Sequence, residues 1–157
     1  SEGRPLDRVH IERNLLELDL SETPGHLIRR CQQRSHEVFK EVLGHFGLTQ
    51  PQTAILIGLA KRPDISIQQL ADLTGTDRNT LSDVAKRLQK RGLLERRRSR
   101  HDVRAYDLRL SESGARLLNR MAPGIAEVQE RLLEPLQEGE REAFVRLARA
   151  VARLNSA

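Results

Sequence analysis

One cysteine, one methionine, one tyrosine and no tryptophan occur in a chain of 157 residues. A lone cysteine excludes an internal disulfide and any zinc or iron–sulfur centre built on several thiolates. Aromatic residues make up only 3% of the chain, too few for a platform on which single-stranded bases would stack. No apolar run is long enough for a membrane helix or a secretory signal, so a soluble cytoplasmic protein with no membrane partner is expected. The chain opens on Ser1 without a Met, which reads as a processed or cloned fragment. No glycine-rich phosphate loop, HExxH or GxSxG motif occurs, so no catalytic residue, cofactor or resident metal is expected.

What the chain does have is arginine. Lysine and arginine total 27 against 22 acidic residues, for a net charge of +5. The excess is not spread evenly. Residues 1–60 carry net −1, residues 61–110 net +6 and residues 111–157 net 0. The densest stretch runs from Lys86 to Arg109 and contains Arg96-Arg97-Arg98-Ser99-Arg100-His101. A basic run can be a solvated face, but one confined to a single segment is also the footprint of a polyanion site.

The patterning around that run is helical. Residues 1–20 form a weakly amphipathic segment, followed by a break at Ser21–Gly25. From His26 to Phe46 the apolar positions Leu27, Ile28, Cys31, Val38, Phe39, Val42, Leu43 and Phe46 mark one helix face, which buries Cys31. Thr49 caps the next helix with Pro51 in its first turn, and Lys61-Arg62-Pro63-Asp64 ends it. Ser66 and Gln69 form a capping box for a short helix. Thr74-Gly75 is a turn, and Thr76 or Asp77 caps a third helix that Gly92 closes. Two short helices joined by a glycine turn make a helix-turn-helix. Residues 93–97 and 103–110 then read as the strands of a basic hairpin. Ser111 caps a long helix whose apolar seam spans Leu118, Met121, Ile125, Val128 and Leu132, interrupted and kinked by Pro123. A last helix carries Phe144, Leu147, Ala148, Val151 and Leu154. The fold expected is mainly α with a small β-hairpin wing, a winged helix-turn-helix plus a helical dimerisation region.

Five pieces of the chain, in order, resemble the MarR family of winged-helix transcriptional regulators. Leu48-Thr49-Gln50-Pro51-Gln52 with Leu56 is similar to its "LTxxQ…L" helix, and Ile67-Gln68-Gln69-Leu70-Ala71 to its "xxxLA" helix. Thr80-Leu81-Ser82, followed by Arg87-Leu88-Gln89-Lys90-Arg91-Gly92-Leu93-Leu94, resembles its "Tvtr…rLexrGLvxR" stretch. Asp102-Val103-Arg104 matches the wing's "DxR", and Leu110-Ser111-Glu112-Ser113-Gly114 matches "LTxxG" with Ser for Thr. The start of the third helix, Asp77-Arg78-Asn79-Thr80, departs from the common pattern and looks like a subset associated with aromatic-acid catabolism. On this resemblance residues 1–22 are an N-terminal helical extension and 23–157 the family domain. Within that domain 49–110 form the winged helix-turn-helix, and 23–47 and 111–157 supply dimerisation helices.

The implied function is a sequence-specific regulator of double-stranded DNA, a repressor by family default. Arg78, Asn79, Thr80, Ser82, Asp83 and Lys86 would face the major groove, Arg78 suited to guanine and Asn79 to adenine. Arg97, Arg98 and Arg100 would meet phosphates, though strand alternation turns one or two of Arg96–Arg98 away from DNA. Asp102 would orient Arg104 toward a narrow minor groove. Phe144, Leu147, Val151 and Leu154 would form the core of a homodimer on a pseudo-palindromic operator with half-sites about 34–36 Å apart. His26, Arg29, Arg30, Arg34 and His36 would receive an acidic effector, an aromatic acid or its coenzyme A thioester. Three rival readings stand beside this one. They are an oxidant sensor using Cys31, a metal-responsive regulator using Glu41 and His45, and a non-specific architectural DNA binder.

Overall fold

The computed structural model describes residues 9–154. The chain forms two compact units, residues 1–35 and 36–157. In the first lie the single-turn α1 (Arg13–Leu16) and a 3₁₀ turn at Leu20–Glu22, capped by Asp19. The Ser21 hydroxyl and backbone N–H both donate to Asp19 and hold its carboxyl below the usual range. Of the helix expected across residues 1–20, residues 1–8 lie outside the described residues, and the rest holds the single turn of α1.

Helix α2 (Pro24–Leu43) starts in the first unit and ends in the second. Its end carries the buried Val38, Phe39 and Leu43. A 3₁₀ turn (Gly44–Phe46) follows and closes on Gly47, whose φ of 73° needs no Cβ. Helix α3 (Gln50–Lys61) begins with a full capping box. Thr49 Oγ1 accepts from the Gln52 N–H at 3.2 Å, and Gln52 Oε1 accepts from the Thr49 N–H at 3.0 Å. Ser66 and Gln69 repeat the arrangement at α4 (Ile67–Thr74). Both boxes satisfy donors that a helix start leaves without partners.

The expected two-stranded wing is a three-stranded antiparallel sheet in the order β1-β3-β2. The extra strand, β1 (Ile65–Ser66), pairs Ile65 with Leu108 and Ser66 with Asp107. Two residues are too short to show alternation, so only the pairing defines it. Helix α5 (Arg78–Lys90) leads through Gly92 into β2 (Leu94–Arg98), which pairs with β3 (Tyr106–Leu110). The second strand starts three residues later than the pattern suggests, because Asp102 closes a turn. Its side chain accepts from the Arg104 N–H at 2.9 Å and its carbonyl from the Ala105 N–H at 3.1 Å.

Helix α6 (Glu112–Leu133) runs through Pro123 and is not interrupted there. Pro123 and the residue four before it, Asn119, are exposed. The carbonyl that loses its donor therefore faces water, where the loss is small. Helix α7 (Glu138–Val151) is the last element among the described residues. The core of the second unit joins Leu43, Ile55, Leu56, Leu59, Leu70, Leu81, Leu88, Leu94, Leu108 and Met121, all almost fully buried.

One joint fixes the winged helix to α6. Ser111 Oγ accepts from the Gly114 N–H at 3.0 Å and donates to the Gly92 carbonyl at 2.6 Å. The Ser111 N–H donates to the Leu93 carbonyl at 3.1 Å. Gly114 packs so tightly here that a Cβ would overlap the Leu93 oxygen. The serine thus caps α6 and ties it to the chain leaving α5.

Candidate nucleic-acid interface

Helix α5 is built around its cap. The Thr80 hydroxyl donates to Asp77 Oδ2 at 2.6 Å and the Thr80 N–H to Oδ1 at 2.9 Å. The hydroxyl bond is the larger cause, and the backbone bond the second, that keep the Asp77 carboxyl below its usual range. One face of α5 buries Leu81, Ala85 and Leu88. The other presents Arg78, Asn79, Asp83 and Lys86 to solvent, with Ser82 half-buried beside them. Thr80 is exposed, but its hydroxyl proton is committed to the cap and only its lone pairs remain for a ligand.

The wing supplies the second surface. Directly opposed residues of an antiparallel pair share a face. The register sets Arg97 against Asp107, Arg98 against Tyr106 and Glu95 against Arg109. Arg96 and Arg98 share the face of Tyr106 and Leu108, and the Arg96 guanidinium lies 4.6 Å from the centre of the Tyr106 ring. Arg96 also borders a recess of about 170 Å³ with Ile67, Ser82, Ala85, Lys86 and Leu108, so one face of the wing adjoins α5. Arg97 stands on the opposite face. Arg100, Asp102 and Arg104 occupy the exposed loop between the strands. Asp102 holds the backbone N–H of Arg104. Its effect on that arginine is therefore exerted through the loop backbone.

Several side chains that shape this surface escaped the sequence reading. Arg91 Nη1 donates to the Gly47 carbonyl at 2.7 Å and anchors the end of α5 to the turn after α2. Arg109 Nη2 donates to Asp64 Oδ2 at 3.3 Å and links β3 to the segment before β1. No local pattern marks either contact, since each joins residues more than forty positions apart.

Outside this surface the described positions are as follows. Arg29, Arg30, Arg34 and His36 are exposed on α2 and His26 is half-buried. His26, Arg29, Arg30 and His36 occupy the arc of that helix away from Leu27, Ile28 and Cys31, whereas Arg34, seven residues after Leu27 and three after Cys31, lies on their side. Cys31 is exposed, not buried as expected. Its neighbours on the apolar face of α2, Leu27 and Ile28, are exposed as well. Glu41, singled out with His45 as a metal pair, is instead held by Arg131 at 2.6 Å. Helix α7 buries no residue. Phe144, Leu147, Val151 and Leu154 are 40%, 53%, 68% and 59% exposed. A groove of about 660 Å³ lies beside them, lined by Leu133, Val145 and Leu154 with Arg141, Arg146 and Arg149.

Among the described residues no helix is long and apolar enough to cross a membrane. The MarR family model matches residues 46–105, a span that includes α3, α4, α5 and β2. Over 131 residues the chain is 32% identical to the HTH-type transcriptional repressor NicR of Pseudomonas putida, covering 83% of each chain. Among solved structures it is similar to the PcaV transcriptional regulator of Streptomyces coelicolor in complex with its natural ligand. That match has 35% identity and a TM-score of 0.82 over 87% of this chain and 96% of the other. It is also similar to BpsR of Bordetella bronchiseptica, whose DNA binding is regulated by 6-hydroxynicotinic acid. Here identity is 28% and the TM-score 0.83, over 88% of this chain and 99% of the other. These relatives are regulators and not enzymes. On the fold, the match across the winged helix and these relatives together, the chain belongs to the MarR family of transcriptional regulators.

Proposed function

We propose that this protein is a cytoplasmic, sequence-specific repressor that binds a pseudo-palindromic operator as a homodimer and leaves it when an acidic aromatic effector binds. One observation carries the DNA reading. The exposed polar face of α5 adjoins an exposed arginine-rich wing, and both lie in the third of the chain that holds the whole positive excess. In this reading Arg78 and Asn79, in the first turn of α5, read base edges. Ser82, Asp83 and Lys86 extend the contact along the groove, and Thr80 accepts a hydrogen bond there. Arg98 and Arg100 neutralise phosphates, and Arg104 enters the minor groove from the loop that Asp102 shapes. Residues 49–110 form the reading module, with 23–47 and 111–157 as dimerisation helices. The exposed Phe144, Leu147, Val151 and Leu154 support a second copy as their cover.

The effector half rests on charge and on the relatives. NicR is a repressor, PcaV was solved with its natural ligand and BpsR answers to 6-hydroxynicotinic acid. His26, Arg29, Arg30, Arg34 and His36 offer cationic donors to a carboxylate, or to the phosphates of a coenzyme A thioester. The test has two steps. Genomic fragments captured by the protein are footprinted, then challenged with hydroxylated aromatic acids, nicotinic acids and aromatic acyl-coenzyme A thioesters. Specific binding should exceed random binding at least about a thousandfold, and one acid class should release the DNA and raise the melting temperature. Equal affinity for operator and random DNA would make the protein a non-specific architectural binder. Retained DNA binding and an unmoved melting temperature with every acid would remove the effector.

A further inference from the structure

Arg91 ends α5, and its guanidinium turns back onto the protein. It lies in the basic stretch Lys86–Arg109, so charge alone would count it among the phosphate contacts. The structure gives it another partner. Its backbone N–H donates to the Arg87 carbonyl at 3.2 Å, and its Nη1 to the Gly47 carbonyl at 2.7 Å. Gly47 closes the 3₁₀ turn that follows α2. The same turn is gripped from α6, where the Arg120 guanidinium lies 5.6 Å from the centre of the Phe46 ring. Phe46 itself packs against the core. The next two residues of the chain, Gly92 and Leu93, give their carbonyls to Ser111. Three consecutive residues at the end of α5 are thus bonded to the turn after α2 and to the cap of α6.

We infer that Arg91 is a positioning residue for DNA reading: bound to the Gly47 carbonyl, it fixes the orientation of α5 and neutralises no phosphate. The inference rests on the DNA-binding reading above. The two kinds of DNA contact respond differently to a change in that orientation. A base-edge hydrogen bond weakens steeply with distance and misalignment. Attraction to phosphates depends on the number of charges and tolerates a shifted helix. Freeing the end of α5 therefore costs the contacts of Arg78 and Asn79, and with them the advantage of the operator over random DNA, while the general attraction persists. Removing a residue that touches phosphate does the reverse.

The experiment titrates operator and random-sequence duplexes across a salt series with the full chain and its Arg91→Met, Arg91→Lys and Arg120→Met forms, well below the melting temperature of each. Methionine keeps an apolar stem and loses every donor, whereas lysine keeps a charged donor for the carbonyl. Arg91→Met should weaken operator binding about five- to tenfold. It should weaken random binding less than about twofold and change the salt slope there by clearly less than one. Arg91→Lys should recover most of the advantage of the operator. Arg120→Met loosens the turn from the side of α6. It should lower that advantage in the same direction with the slope unchanged, and serves in place of Arg91→Met should that form fail to melt cooperatively. Loss of a full unit of slope in Arg91→Met would overturn the inference and make Arg91 a phosphate contact. An unchanged ratio of operator to random affinity in Arg91→Met and Arg120→Met would overturn it too, leaving the bond to Gly47 a structural tie only. If the unsubstituted protein prefers no genomic fragment over random DNA, the sequence-reading proposal itself fails, which is a separate and recognisable result.

Discussion

The carboxylate of Asp77 serves α5 through both oxygens, one taking the Thr80 N–H and the other its hydroxyl. Its acidity is raised by those bonds, so its folded pKa lies below the unfolded one. Such a group contributes stability above the ordinary carboxylate range, and that contribution is lost as pH falls through the folded value. Asn at this position keeps a neutral cap without the charge. Melting curves of Asp77→Asn should therefore lie below those of the native chain at neutral pH, with the gap closing as the pH drops into the acid range. A gap that persists in strong acid would show that the ionised carboxylate is not its source. At this scale the sequence was legible wherever the partner is three or four positions away. The cap at Thr49, the box at Ser66, the cap at Ser111 and the glycine stops at 75 and 92 are all of that kind. It was not legible for Cys31, whose exposure depends on what the first turns of α2 pack against. The same holds for Arg91 and Arg131, whose partners are fixed by tertiary fold.

Among the elements, α5 and the wing divide the work that the proposed function asks of them. The helix offers side chains of differing hydrogen-bond pattern, and the wing offers mostly charge. Their effects should separate in one assay. Arg78→Ala should relax preference at a single base pair and cost about 1–3 kcal/mol on the operator, with little change on random DNA. Arg98→Ala should weaken all duplexes alike and lower the salt slope by about one. Salt titrations on both duplexes distinguish the two, and equal losses on both for Arg78→Ala would refute base readout there. Element by element, the chain read well where apolar spacing is sustained, as in α3, α5 and α6. It read poorly where an element exists only through its neighbour. Strand β1 is two residues long and is made by β3. The wing loop takes three residues from the expected second strand because Asp102 turns the chain back on itself.

At the scale of the whole molecule the unfinished surface is the final helix, which presents Phe144, Leu147, Val151 and Leu154 without burying any residue. A continuous apolar face of this kind is normally covered, and the proposed cover is a second copy. Val151→Glu places a charge in the middle of it. Sedimentation should then show a monomer where the native chain is a dimer, and operator affinity should collapse while the α5 surface is untouched. A native chain that sediments as a monomer would remove the dimer from the reading. The joint at Ser111 gives that arrangement a mechanical meaning. Helix α6 has 22 residues, a rod of about 33 Å, and its capping serine also bonds the chain leaving α5 at the Gly92 and Leu93 carbonyls. For a rigid rod pivoting at that end, a sideways shift of about 3 Å at the far tip corresponds to a turn of about 5° at the joint. Under the proposed function, this joint would deliver small displacements among the terminal helices to α5 as a change of angle.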